Sequence, residues 1–90
     1  MKKAINQLIE FHQSLGESHP QRPTSDIPNS IKTIRKNLLQ EELQELINAI
    51  DDEPIENIAK ELADVLYVTL GTAVAFGLQS HLTQVFETVH

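Results

Sequence analysis

Apolar residues recur along this chain with the period of an α-helix, and no stretch shows the strict alternation of a half-buried strand. Ile5, Leu8, Ile9, His12 and Leu15 share one helical face, which predicts a short amphipathic helix from about Lys2 to Leu15, ending near Gly16. From Gly16 to Ser30 the pattern stops. Pro20, Pro23 and Pro28 stand there among polar residues, and each lacks a backbone donor, so this stretch is expected to be a loop. Ser30 is the expected N-cap of a second helix reaching Ala49 or Ile50, with Ile31, Ile34, Leu38, Leu39, Leu43, Leu46, Ile47 and Ile50 as its apolar positions. Asp51, Asp52 and Glu53 form a tight acidic turn. Pro54 suits the first turn of a third helix, which runs to about Phe76 and is stopped by Gly77. Ser80 can cap a last short helix containing Leu82, Val85, Phe86 and Val89. The expected fold is all-α: four helices with one long loop, in a single domain covering residues 1–90.

The acidic residues change the picture. At about 100° per residue, Glu42 and Glu45 fall inside the apolar arc of the second helix, with Glu41 at its edge and Arg35 within the arc two turns earlier. On the third helix one broad stripe carries Ile55, Ile58, Ala59, Leu62, Val65, Leu66, Leu70, Ala73 and Phe76. Glu61 and Asp64 lie on the other side, which continues through Val68, Gly71, Thr72 and Ala75. A helix apolar nearly all round is expected to be covered on both faces. Both Glu42 with Glu45 and Glu61 with Asp64 have i,i+3 spacing, so each pair is a pair of like-charged neighbours that calls for a positive partner. Only seven lysines and arginines are available in the whole chain. Arg35 and Lys60 are the nearest candidates, and four converging carboxylates exceed what they supply. A hard divalent cation fits the ligand type, since magnesium prefers oxygen and is commonly shared between carboxylates and substrate phosphates. The competing reading is a solvated acidic helix end in which Lys60 and Asp64 form an i,i+4 ion pair. Both remain open on these patterns alone.

Composition narrows the chemistry further. With no cysteine, the chain offers neither a disulfide nor a thiolate ligand, and any metal must be held by oxygen or imidazole. A formal net charge of -6 argues against binding a nucleic acid polymer, which needs a positive surface. Lys2 and Lys3 precede an apolar stretch that Asn6, Gln7 and Glu10 interrupt, and no run reaches membrane-spanning length, so a cytoplasmic protein is expected. Ninety residues bury a comparatively small share of their surface. Together with the two-faced third helix, this predicts a homodimer or homotetramer.

The segment Arg35 to Glu45, RKNLLQEELQE, followed by Glu61 to Gly71, ELADVLYVTLG, resembles the EExxE and ExxD signature of the MazG-like and phosphoribosyl-ATP pyrophosphatase-like enzymes. The stretches FHQSLGESHPQRP and GTAVAFGL extend the similarity, which covers the chain from about Phe11 to His90. The resemblance implies a four-helix MazG-like bundle whose active site is completed in a dimer or tetramer. It further implies magnesium-dependent hydrolysis between the α- and β-phosphates of a nucleoside triphosphate or related nucleotide, with manganese as a possible substitute cation. Carried across, Glu42, Glu45, Glu61 and Asp64 are the magnesium ligands. Glu41, with Glu42 and Glu45, belongs to the catalytic set and can bind metal or orient the attacking water; His12, in the part that resembles the family, can approach the base, and Arg35, from its inward-leaning position on the second helix, is the candidate to meet phosphate.

Relatives continue past the equivalent of VFETVH into a tail with an asparagine and a lysine. A second expectation, from a different class, is therefore a helical dimerisation or nucleotide-binding module with impaired turnover. His19, His81 and His90 share no metal-ligand spacing and read as surface or packing residues, as do Arg22 in its loop and Tyr67 and Phe76 in their apolar segment.

Overall fold

The computed structural model describes Lys3, Asn6, Gln7, Glu10, Phe11 and residues 19–52 and 54–89. Its helices are α1 (Asn29–Asp52), α2 (Ile55–Ala75) and α3 (His81–Val89), and there is no strand among the described residues. The protein is all-α. Lys3, Asn6, Gln7, Glu10 and Phe11 also have helical backbone, but most of the expected opening helix, its stop at Gly16, His12, Glu53 and His90 lie outside the described residues. No helix of the described residues is long and apolar enough to cross a membrane.

The helix boundaries follow the sequence pattern with small corrections, one being that Asp51 and Asp52, expected in an acidic turn, form the end of α1. The first rungs of α1 are accepted by the Pro28 carbonyl, from Ile31 N at 3.0 Å and Lys32 N at 3.2 Å. Leu78 does the same for α3, accepting from His81 N at 3.0 Å and Leu82 N at 2.8 Å. The expected caps Ser30 and Ser80 each sit two residues further on, inside the opening turn. Pro54 stands just before α2, its carbonyl accepting from Asn57 N and Ile58 N. That position needs no donor from it.

The chain divides into two compact units. One comprises residues 28–69, holding α1 and the first part of α2. Its covered positions on α1 are Lys32, Arg35, Leu38, Leu39, Glu42, Leu46 and Ala49, spaced at three, four and seven residues; on α2 they are Ile58, Glu61, Asp64, Val65 and Val68. This corrects the expected wheel for α2. Along Ile55 to Thr69 the covered face includes the acid-bearing side, and of the broad apolar stripe Ile58 and Val65 are covered whereas Ile55, Leu62 and Leu66 are exposed.

The other unit comprises residues 1–27 and 70–90. Its core is Leu70, Ala73 and the fully buried Val74 at the end of α2. The helix stops by paired bonds from Gly77 N to Val74 O (3.0 Å) and Leu78 N to Ala73 O (2.8 Å), which require the left-handed backbone that Gly77 adopts at φ 71°. A second constraint falls on the same residue, because a Cβ there would collide with the Arg22 carbonyl of the preceding loop. That loop, irregular as its prolines dictate over residues 19–28, is fastened here: Thr24 N donates to Phe76 O at 2.9 Å and Gln79 Nε2 to Pro20 O at 3.0 Å.

Candidate metal centre

The acid-bearing faces of α1 and α2 meet within the 28–69 unit. Glu42 stands at the middle of the covered arc of α1, between Leu38, Leu39, Leu46 and Ala49, and is half-buried. Glu45, about 60° round the helix from it, is exposed. On α2, Glu61 is the middle of the covered arc, its side chain only 16% exposed. Glu42, Glu45 and Glu61 each offer a carboxylate oxygen, and these atoms all lie within 4.8 Å of one another. Asp64 lies outside that trio but beside it, 39% exposed, and its charge acts on Glu42.

The electrostatics carry the signature of crowded like charges. Partial burial raises the pKa of Glu42 above the ordinary carboxyl value. The charges of Glu45 and Asp64 push it the same way, as do a hydrogen bond donated by its protonated form to Glu45 and the charge of Glu61. Lys60 answers part of this negative potential. Its Nζ donates to Asp64 Oδ2 at 3.1 Å and to Glu61 Oε1 at 3.5 Å, and these bonds and charges raise the lysine pKa. Among the described residues, Glu42 Oε2 and Glu61 Oε2 are buried without a hydrogen-bond partner. Two buried acceptor oxygens facing no donor fit a cation better than they fit a closed side-chain network. Oxygens that share one cation bound at about 2.0–2.6 Å lie no more than about 4–5 Å apart, and the trio, within 4.8 Å, meets that limit.

The other expected site residues fall as follows. Glu41 is exposed on the flank of α1, and Arg35 is half-buried on the same face as Glu42, two turns before it, with its Nε buried and unpartnered. His12 lies outside the described residues. Tyr67, expected to pack, is exposed, while Phe76 is half-buried. The i,i+4 pair of Lys60 and Asp64 does form, and it forms inside the acidic cluster rather than as an alternative to it. Asn48 and Asn57 were not singled out from the sequence. They line a cleft of about 410 Å³ together with Glu45, Ala49, Lys60 and Glu61. Their spacing held the signal, since Asn48 follows Glu45 by three residues and Asn57 precedes Glu61 by four.

Three carboxylates brought together from two helices of an all-α scaffold, in a chain without cysteine, make an oxygen-ligand set of the kind that can hold a hard divalent cation. Residues 8–90 match the family model of phosphoribosyl-ATP pyrophosphohydrolase, and the chain belongs to that family, within the MazG-like nucleotide pyrophosphohydrolase superfamily. Its members are pyrophosphohydrolases, typically dependent on a divalent metal. No curated protein matches the chain.

Proposed function

We propose that this protein is a magnesium-dependent pyrophosphohydrolase that cleaves the α–β phosphoanhydride of a nucleoside triphosphate or a related nucleotide such as phosphoribosyl-ATP. The products are a monophosphate and pyrophosphate. The observation that carries the reading is the trio of Glu42, Glu45 and Glu61, drawn together by two helices within a family of pyrophosphohydrolases. With Asp64 alongside, these residues would hold magnesium, or manganese in its place. Such a cation supplies charge neutralisation at phosphate and a more acidic bound water. The chain's own residues then divide the remaining work. Glu42 and Glu45, adjacent on one face, fix the position of the site on α1. Glu41, open to solvent on the flank, orients the attacking water, Arg35 offers a guanidinium to phosphate, and His12 approaches the base. Water is the nucleophile.

The same reading includes a cytoplasmic homodimer or homotetramer, built from one MazG-like four-helix domain per chain. Its support is the exposed aliphatic surface of the 28–69 unit, where Leu43, Ile47 and Ile50 on α1 and Ile55, Leu62 and Leu66 on α2 lie largely open, Ile55 at 72%. Large exposed aliphatic side chains gathered on one side of a helix pair are the usual make-up of an interaction site.

Phosphorus NMR on a panel of nucleoside triphosphates and phosphoribosyl-ATP, with magnesium and with excess chelator, tests the reaction. Pyrophosphate as the first product, only with the metal, is expected. Orthophosphate first, or no turnover on any member, sinks the assignment.

A further inference from the structure

The cleft beside the acids has a lining of two chemical kinds. Glu45 and Glu61 belong to the carboxylate trio, while Asn48, Asn57 and Lys60 extend the wall toward the α1–α2 turn. Carboxylates only accept hydrogen bonds, so they serve cations. Lys60 only donates, through an ammonium with three hydrogens. Asn48 is also set as a donor: its Oδ1 accepts from Gln44 Nε2 at 2.9 Å, one turn earlier on α1, so its NH₂ is the end left for the cleft. Donors packed against a cation-binding cluster are the complement of an anion that also touches the cation.

The state of Lys60 supports this. It is 67% exposed and spans Asp64 at 3.1 Å and Glu61 at 3.5 Å, a pairing of the exposed kind that contributes little and is readily exchanged. Glu42, Glu45, Glu61 and Asp64 bring four formal negative charges against the single positive charge of Lys60. A divalent cation on the carboxylates offsets about half of the four negative charges and so weakens the attraction that holds the ammonium there. Its flexible stem then lets it turn to an anion in the cleft. A volume of about 410 Å³ lies within the range of small-ligand sites.

We propose that this cleft is the phosphate subsite of the centre, taking the phosphoryl groups that leave as pyrophosphate, with Lys60 and Asn48 as its positioning donors. The proposal rests on the pyrophosphohydrolase reading and adds to it where the leaving group sits. It assigns Lys60 two opposed effects: the residue competes with magnesium for Asp64 and Glu61, and it assists the binding of phosphate once magnesium is in place.

Calorimetry with the full chain separates these effects. Inorganic pyrophosphate titrated into protein saturated with magnesium should bind about tenfold more weakly to Lys60→Met, as expected for loss of a charge-assisted hydrogen bond. It should bind several-fold more weakly to Asn48→Ala, and close to parent strength to Lys60→Arg. Magnesium titrated alone should bind Lys60→Met as tightly as the parent or more tightly, an outcome that general damage to the site does not produce. Equal pyrophosphate affinity in parent and Lys60→Met overturns the proposal, and so does weakened binding of magnesium alone. A parent that binds magnesium but not pyrophosphate overturns the subsite and spares the metal centre, whereas a parent that binds neither overturns the pyrophosphohydrolase reading as well.

Discussion

The two faces of the α1–α2 pair within residues 28–69 invert the usual rule for helix surfaces. The covered face carries Arg35, Glu42, Glu61 and Asp64 among Leu38, Leu39, Leu46, Val65 and Val68; the open face carries Leu43, Ile47, Ile50, Ile55, Leu62 and Leu66. Charged groups are seldom covered without a partner, and an open row of large aliphatics is seldom left uncovered. The contrast teaches that the two faces answer different demands. Crowding carboxylates costs stability in the metal-free chain and is intelligible as preparation for a cation. The aliphatic row is intelligible as a surface for another subunit.

The largest effect should come from breaking the covered face. Replacing Glu42 or Glu61 by Gln keeps shape and removes charge. Each variant is expected to lose magnesium affinity and hydrolysis by about 100-fold or more, beyond the ~10–100-fold typical of outer-shell partners. Their thermal stability in chelator should equal or exceed that of the parent, because like-charge repulsion is relieved. Calorimetry and melting in chelator measure both; variants that bind magnesium as the parent does would make the acids ordinary surface charges.

Next comes Leu46→Ala, which opens a cavity beside Glu42 on the covered face and should cost about 2–4 kcal/mol in urea unfolding. A loss under about 0.5 kcal/mol, typical of surface sites, would show that the α1 face is not a core in solution.

Breaking the open face tests the other half of the contrast. Leu62→Glu, at a position 54% exposed, should weaken self-association by about 2 kcal/mol, roughly 30-fold, while leaving the helical circular dichroism intact. Light scattering that finds the parent monomeric at micromolar concentration would remove the reason for the aliphatic row.

Gly77→Ala should destabilise the other unit by about 1–2 kcal/mol, from the left-handed backbone and from the Arg22 carbonyl that its methyl would meet. An unchanged unfolding midpoint would show that the loop does not pack there in solution.

The smallest effect is a pH dependence. Glu42 has a raised pKa in the folded chain, so the folded state holds its proton more tightly than the unfolded one. Its contribution to stability is present below the ordinary carboxyl value of 4.5 and is lost as pH rises through the raised value. Metal-free protein should therefore lose part of its stability upward from pH 4.5, and Glu42→Gln should flatten that part of the profile. A parallel decline in both proteins would assign it to other groups.

Much of this architecture was legible in the chain itself. Helical periodicity and the punctuation by Pro28, Pro54 and Gly77 locate α1, α2 and α3 within a residue or two, because turn chemistry and missing donors act locally. The i,i+3 spacing of Glu42 with Glu45 and of Glu61 with Asp64 is likewise a property of each helix alone, and so is the likeness of EExxE and ExxD to the family that residues 8–90 match. Three things needed the tertiary structure. Which face of α2 is covered could not be read from a wheel that is apolar nearly all round; packing against α1 chose the side bearing Glu61 over the side bearing Leu62. The meeting of Glu61 with Glu42 and Glu45, while Asp64 stays aside with Lys60, depends on how two helices are phased about their axes. Asn48 and Asn57 carry no charge or motif to mark them, and became part of a site only when the α1–α2 turn brought them to one cleft. Local sequence sets the elements and the partners within one helix, whereas rotation and register between helices are settled by the sum of many weak contacts across them.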